Sequence, residues 1–308
     1  MESKYSISDL ERLTGVKAHT LRVWESRYGL IVPSRTDTNI RYYGDNDLKK
    51  LLNVAVLINS GMRISRVAEM SEHELQSLVL DKSNGGHNHE GTLSALKIAM
   101  IDFDETVFER IINRCMLNMG AEEAFNTVLA DFIRHLGVLW QTNAISVAHE
   151  HFATGLIKQK LFSLIDQLTV APKPDSRRYL LYLPQGELHE LALLYIHFIL
   201  RKNGQQSIFL GQDVGLEFLA ETRDKLKADT VVSIFTMEPK PEDVGNYIYQ
   251  LGQTFPGRNM RFKLSGYPLR QFKTYHDDTR FRLFGDLNGL RDHLLHEELK
   301  VSLVKNQR

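Results

Sequence analysis

Near residue 178 the chain changes its period, and no other feature restricts the possible folds as strongly. Upstream, apolar residues recur at steps of three and four: Leu93, Leu96 and Met100; Val107, Ile111, Cys115 and Met119; Val128, Phe132, Leu136 and Leu139; Ile157, Leu161, Leu164 and Leu168. Each set defines one apolar helix face, and such faces bury one another in a compact four-helix bundle. Downstream, apolar runs of strand length at 179–183, 207–210, 230–234, 262–264 and 281–284 alternate with helical patterns such as 188–200 and 244–251. Strands alternating with helices imply a parallel sheet with right-handed crossovers, flavodoxin-like or Rossmann-like.

A length of 308 residues allows two or three domains. No run of eighteen apolar residues occurs and the N-terminus has no basic-then-apolar signal, so a cytoplasmic protein without a membrane partner is expected. The single cysteine, Cys115, excludes an internal disulfide framework and any cysteine-cluster metal site. It stands one turn from Ile111 and Met119, as a buried structural thiol would.

The first seventy residues carry a different signature. Ile7, Leu10 and Leu13 follow Ser6, a residue type that caps helix starts, and Thr14-Gly15 breaks that helix. A second short helix is expected over 18–26, within Thr20-Leu21-Arg22-Val23-Trp24-Glu25-Ser26-Arg27-Tyr28-Gly29-Leu30. Residues 28–43, with Gly29, Pro33, Arg35 and Arg41-Tyr42-Tyr43, lack a helical period and suit a small β-wing. Helix, tight turn and helix form the helix-turn-helix plan. With Asp47-Leu48-Lys49-Lys50-Leu51 and Gly61-Met62-Arg63-Ile64-Ser65-Arg66-Val67 after it, the segment resembles the N-terminal domain of the MerR family of transcriptional regulators through about residue 75.

The net charge is zero, but phosphate contacts need cations only on the docking face. Lys17, Arg22, Arg27, Arg35 and Arg41 cluster there against Glu25 and Asp37. His19, Thr20 and Arg22 open the second helix and are the expected base-edge contacts, while Arg41 and Tyr42 suit phosphate contact from the wing. The excess is modest, so double-stranded operator DNA would be held by self-association, as dimer or tetramer.

Ser83-Asn84-Gly85-Gly86-His87-Asn88-His89 reads as a linker, its histidines solvated. In the bundle, Trp140 ends the third helix and Glu150-His151 lies early in the fourth. From composition alone these read as a core Trp and a solvated pair, and His149 and His151, two apart, do not share a helix face as a zinc pair would. After the first strand stands Pro184-Gln185-Gly186-Glu187-Leu188-His189, at the carboxyl edge where such sheets bind ligands. Glu187 can orient the His189 ring, and an imidazole so held is a good metal ligand. No second ligand has matching spacing, so a metal already inside a cofactor suits the site better than a bare ion.

The order bundle, Trp-x9-Glu-His, then Glu-x-His before an α/β domain resembles the cobalamin-binding module. Behind a MerR-type head it is similar to the adenosylcobalamin-dependent photoreceptor repressors of the CarH/LitR type. The resemblance implies that His189 is the lower axial ligand to cobalt, held by Glu187 and displacing the cofactor's dimethylbenzimidazole. It implies that Trp140, Glu150 and His151 cover the adenosyl face, and that Ser233 and Gly266 border the nucleotide tail. It also implies a repressor, not an enzyme, whose oligomerisation and operator binding respond to adenosylcobalamin, or another cobalamin form, and to light.

Three positions depart from that pattern. Ala192 replaces the glycine of Glu-x-His-x-x-Gly, Ser265-Gly266 replaces paired glycines, and Gln141 stands where the photoreceptors carry a His after the Trp. All three support an alternative, a degenerate fold that binds no cofactor and answers to a protein partner or another ligand. A corrinoid enzyme is the third reading, but no catalytic domain remains once the others are assigned. The expected division is a head over 1–75, a linker over 76–89, a four-helix cap over 90–172 and a Rossmann-like domain over 177–308.

Overall fold

The computed structural model describes residues 4–84, 89–173, 176–257, 260–272 and 278–305, and its contacts separate into two units, Met1–Leu156 and Ile157–Arg308. In the first unit, α1 (Ile7–Thr14) begins with a capping box between Ser6 and Asp9. It ends at Gly15, whose φ of 76° is the left-handed conformation that glycine adopts without strain. Next come α2 (Ala18–Tyr28), a wing of β1 (Ser34–Arg35) paired antiparallel with β2 (Arg41–Tyr42), α3 (Asp45–Asn59) and α4 (Ile64–Ala68). Leu10, Leu13, Leu21, Trp24, Leu48 and Leu52 bury the inner faces of these helices, so the helix-turn-helix reading holds and α2 runs two residues past its expected end.

Residues 72–84 form helix α5 (Glu72–Asn84), so most of the expected linker is helical; Gly85, Gly86, His87 and Asn88 lie outside the described residues. The stretch Glu72–Leu80 has its own apolar residues, Leu75 and Val79, which are buried. The bundle follows as α6 (His89–Ile101), α7 (Glu105–Met119), α8 (Ala121–Ala124), α9 (Ala130–Gln141) and α10 (Val147–Asp166). A π-turn over Phe125–Leu129 joins α8 to α9 and lets Val128, Phe132, Leu136 and Leu139 all face inward. The expected face of α7 is corrected by one residue. Phe108, Ile112 and Cys115 are its buried set, Val107 and Ile111 flank it, and Met119 is exposed. Phe108 sets the register, because its ring packs edge-on against Phe132 with centroids 5.7 Å apart. Leu168 lies beyond the end of α10 rather than in its core face.

Head and cap are not separate bodies. Lys97 of α6 donates from Nζ to the Leu13 carbonyl at 3.0 Å, and Arg12 donates to the Thr142 carbonyl at 3.3 Å. Lys49 meets Asp102 at 2.9 Å, and Asn59 Nδ2 donates to Glu90 at 2.5 Å.

The second unit holds β3 (Arg178–Pro184), α11 (Leu191–Lys202), β4 (Gln206–Val214), α12 (Leu216–Leu226), β5 (Thr230–Phe235), α13 (Val244–Thr254), β6 (Arg261–Gly266), β7 (Phe281–Phe284) and α14 (Leu287–Lys305). Five strands pair in parallel in the order β4-β3-β5-β6-β7, the flavodoxin-like order. Leu180, Tyr182, Val231, Phe235 and Leu264 face α12 and α13, while Tyr179, Leu181, Leu183, Val232 and Ile234 face α11 and α14. Both faces are covered, which is why the central strands read as continuous apolar runs rather than alternating ones. Strand order reverses between β3 and β5, and ligands of such sheets bind outside the carboxyl ends at that point.

Candidate functional site

The turn after β3 brings Glu187 under the sheet edge, where its side chain is fully buried. One carboxylate oxygen accepts from the His189 backbone N–H at 3.0 Å and pairs with His189 Nδ1 at 2.6 Å. The other accepts three consecutive backbone N–H groups after β5, from Thr236 at 2.9 Å, Met237 at 2.6 Å and Glu238 at 3.0 Å. Burial alone would push the Glu187 carboxyl up; the hydrogen bonds from His189 and these amides outweigh it and hold it at about 2. Glu187 is therefore a fixed anion that bridges the β3 and β5 ends. A fixed anion at Nδ1 keeps the proton there, so Nε2 is the nitrogen with a lone pair.

The His189 side chain is 54% exposed and stands on an edge that also presents apolar groups to solvent. Leu188 after β3, Met237 after β5 and Tyr267 after β6 are 59%, 55% and 68% exposed. Exposed apolar groups beside a half-exposed imidazole suit the flat face of a macrocycle better than a small polar ligand. The dyad thus fits the lower face of a corrin with cobalt at its centre. Among the described residues no cluster of three or more His, Cys, Asp or Glu could hold a bare ion.

Ser233 and Gly266 are placed at strand ends but not at an open surface. Ser233 is fully buried and donates to the Tyr182 carbonyl at 2.8 Å. Gly266 pairs with Phe235, and a Cβ there would lie 2.0 Å from the Phe235 carbonyl oxygen, so strand packing alone requires glycine. Ser265, which replaces the other glycine, buries its hydroxyl without a hydrogen-bond partner, and Ala192 packs its methyl on the core beneath α11.

In the first unit, Trp140 is 45% exposed in the last turn of α9, not a core side chain. That turn is locked. Asn143 at φ 55° ends the helix, with its N–H donating to Trp140 O at 2.9 Å and Ala144 N–H to Leu139 O at 2.9 Å. Glu150 and His151 open α10 at the same end of this helix pair, their side chains 3.4 Å apart. His149 diverges from His151 and is buried. Its Nδ1 meets Ser146 Oγ at 2.9 Å, its ring stacks on Phe103 at 4.6 Å, and burial lowers its basicity. His89 meets Asp131 at 2.8 Å. Among the described residues neither histidine belongs to a cluster that could hold a metal ion.

On the head, His19 and Arg22 are exposed on α2, with Thr20 half-buried beside His19 at 3.3 Å. Arg41 is exposed on the wing and lies 3.9 Å from Glu25, which is also held by the buried Tyr43 hydroxyl at 2.7 Å. Tyr42 is half-buried under the Lys4 ammonium, 4.7 Å from its ring centre. Sequence reasoning missed Lys4, the amide trio after β5 and the exposed Leu188, Met237 and Tyr267. Backbone amides have no side-chain signature; their position after the strand at the order reversal was the available clue.

Two family models match the chain, the MerR HTH family regulatory protein model over residues 5–74 and the B12 binding domain model over residues 92–165. The Myxococcus xanthus HTH-type transcriptional repressor CarH is 27% identical over 83% of this chain and 86% of its own length. CarA of the same organism, also an HTH-type transcriptional repressor, is 28% identical over 79% of this chain and 80% of its own. Among solved structures, the Methanosarcina barkeri monomethylamine corrinoid protein is similar over 65% of this chain and 95% of its own, at 14% identity and a TM-score of 0.47. Among the described residues no helix is long and apolar enough to cross a membrane. The chain is a DNA-binding regulator, not an enzyme, that joins a MerR-type head to a B12 binding domain and is homologous to the CarH and CarA repressors.

Proposed function

We propose that this protein is a transcriptional repressor whose assembly and grip on its operator are set by adenosylcobalamin. The observation that carries the reading is the Glu187–His189 dyad, a buried anion fixing a half-exposed imidazole at the order reversal of the sheet. His189 Nε2 would hold the cobalt, with Glu187 as the group that orients it. Trp140, Glu150 and His151 are assigned to the adenosyl side. When bound, the cofactor supplies a cobalt–carbon bond that visible light can break.

On the DNA side, His19, Thr20 and Arg22 read base edges while Arg41 and Tyr42 position the head on phosphates. Coupling between cofactor and head has a physical route in the first unit. Arg12 of α1 holds the Thr142 carbonyl, two residues beyond Trp140, so a shift of the Trp140 turn moves a contact of the head. Loss of assembly weakens DNA binding because a single head carries few uncompensated cations; Lys17 is paired with Glu11 and Arg41 lies near Glu25.

The deciding experiment is sedimentation and operator binding of the full chain, with and without adenosylcobalamin, in darkness and after green light, on DNA chosen by selection. Cofactor-dependent assembly and tighter DNA binding in darkness are expected, with the cobalt spectrum altered by His189→Ala. An absent cofactor effect on both assembly and DNA binding would refute cobalamin control. Because Gln141 replaces an imidazole, light is expected to release the assembly without a second histidine capturing cobalt.

A further inference from the structure

The dyad fits a corrin ring, but among the described residues the sheet behind it is closed to the rest of a cobalamin, and the following rests on the cobalamin reading. Cobalamin carries a nucleotide loop ending in dimethylbenzimidazole. If His189 Nε2 holds the cobalt in place of the benzimidazole nitrogen, one bond replaces the other, no proton changes hands, and the freed base must lie somewhere. A crevice in the sheet large enough for it would leave its lining accessible to water.

The candidate lining is sealed on both faces. Toward α12 and α13, Tyr182 and Ser233 are wholly buried and Phe235 is 1% exposed. The Tyr182 and Tyr247 hydroxyls close on each other at 2.8 Å, with Phe235 edge-on to Tyr247 at 5.6 Å. The Ser233 hydroxyl already spends its proton on the Tyr182 carbonyl. Toward α11 and α14, Leu183, Leu193, Leu290 and Leu294 are fully buried, Ile234 is 5% exposed, and the Ala192 methyl packs on the same cluster. Ser265 Oγ faces this side without a partner, yet it too is wholly inaccessible. Admitting a ribose phosphate and a bicyclic base would mean prising apart a dry aliphatic layer or a hydrogen-bonded aromatic one, and re-exposing apolar area in both cases.

We infer that this module holds a corrinoid by its ring alone, with the nucleotide loop and its base outside the sheet. The ligand class is therefore wider than cobalamin and includes cobinamides, which lack the loop. The determinants are Tyr182, Tyr247 and Phe235 on one face and Leu183, Ala192 and Ile234 on the other.

The test is to titrate the full chain in darkness with adenosylcobalamin and separately with adenosylcobinamide. Affinity is read by calorimetry and coordination by the visible band that histidine ligation shifts, with His189→Ala as control. The two ligands are expected to bind within about threefold of each other, both losing the band shift in His189→Ala. In a parallel NMR measurement, the benzimidazole protons of bound cobalamin should keep narrow lines near their solvent positions. Cobalamin binding more than about tenfold tighter than cobinamide, or broad and displaced benzimidazole lines, would overturn the inference while leaving cobalamin control intact. Failure of both ligands to bind would overturn it together with the reading on which it rests.

Discussion

Replacing Glu187 by Gln tests the centre of the site with one atom. The wild-type carboxylate accepts five hydrogen bonds, three from the amides of 236–238 and two from His189. A glutamine can face only one of these donor groups with its oxygen; its NH2 then meets N–H donors on the other side. The energy can be worked from the proton affinity. A fall from 4.5 to about 2 corresponds to roughly 3 kcal/mol of preference for the ionised form in the folded state. Since the folded value is depressed, that stability is fully present above 4.5 and is lost as the pH falls through about 2. Glu187→Gln should therefore destabilise the second unit by about 3 kcal/mol near neutrality, and the gap to wild type should close as the pH drops through that window. Both tryptophans, Trp24 and Trp140, lie in the first unit, so intrinsic fluorescence reports the wrong body. Urea unfolding followed by far-UV circular dichroism, with hydrogen exchange of β3 and β5 amides, reads the right one. The glutamine NH2 would also drive the His189 proton to Nε2, removing the lone pair, so cobalamin affinity should fall by about 10- to 100-fold. A variant as stable as wild type near neutrality, or a stability gap independent of pH, would refute the account of Glu187 as a buried anion.

Four further outcomes follow from the geometry. Arg22→Ala should weaken operator binding by about 1–3 kcal/mol if Arg22 reads a base, or lower the salt slope by about one if it meets phosphate; band shifts at several salt concentrations separate these, and unchanged affinity removes the docking. Lys263 is 2% exposed and joins His293 at 2.8 Å and Glu297, whose carboxylate Arg177 also holds at 2.6 Å, so Lys263→Ala removes one of two cations from Glu297 and should cost about 1–3 kcal/mol by urea unfolding. Burial lowers the Lys97 ammonium below its usual 10.5, so its contribution to the first unit should grow as the pH rises toward 10.5. In Lys97→Met that rise, followed by thermal unfolding, should vanish. Cys115 is buried and its thiol is raised by burial, so a thiol reagent should label it only after denaturation.

Legibility in the sequence followed the range of the interactions concerned. The head was readable almost to the residue because its signals are local, a Ser6 cap, a left-handed Gly15 and a Trp24 anchor within twenty residues. Strands β3 and β5 were readable for a similar reason, since burial on both faces leaves an unbroken apolar run. The α7 face was misplaced by one residue because Val107, Ile111, Cys115 and Met119 and the true set, Phe108, Ile112 and Cys115, both keep helical spacing. The contacts of Phe108 with Phe132 and Phe152 across the bundle decide between them, and a one-dimensional pattern cannot hold such contacts. The expected linker failed differently. Polar residues at 81–84 read as loop, but α5 runs through them, and Leu75 and Val79 anchor that helix in the core.

The same distinction bears on Ser233, Gly266 and Ala192, which a motif treats alike and packing does not. Gly266 is demanded by the protein itself, because any Cβ would strike the Phe235 carbonyl whatever the sheet binds. Ser233 is likewise accounted for by a bond within the sheet. Conformity at these two positions therefore says little about a nucleotide tail. Ala192 and Ser265 are informative because neither is forced by strand geometry; each adds atoms at a position where the family resemblance expects glycine, and one leaves a hydroxyl without a partner. Glu187 and His189 are informative in the opposite sense. A sheet closed for its own stability has no need to bury a carboxylate beneath three amides in order to aim one imidazole outward, and such an expense in desolvation is explained by what the imidazole must hold. On the proposed reading, the departures and the dyad then agree on one molecule, a regulator that would hold the cobalt through His189 and leave the tail outside the sheet.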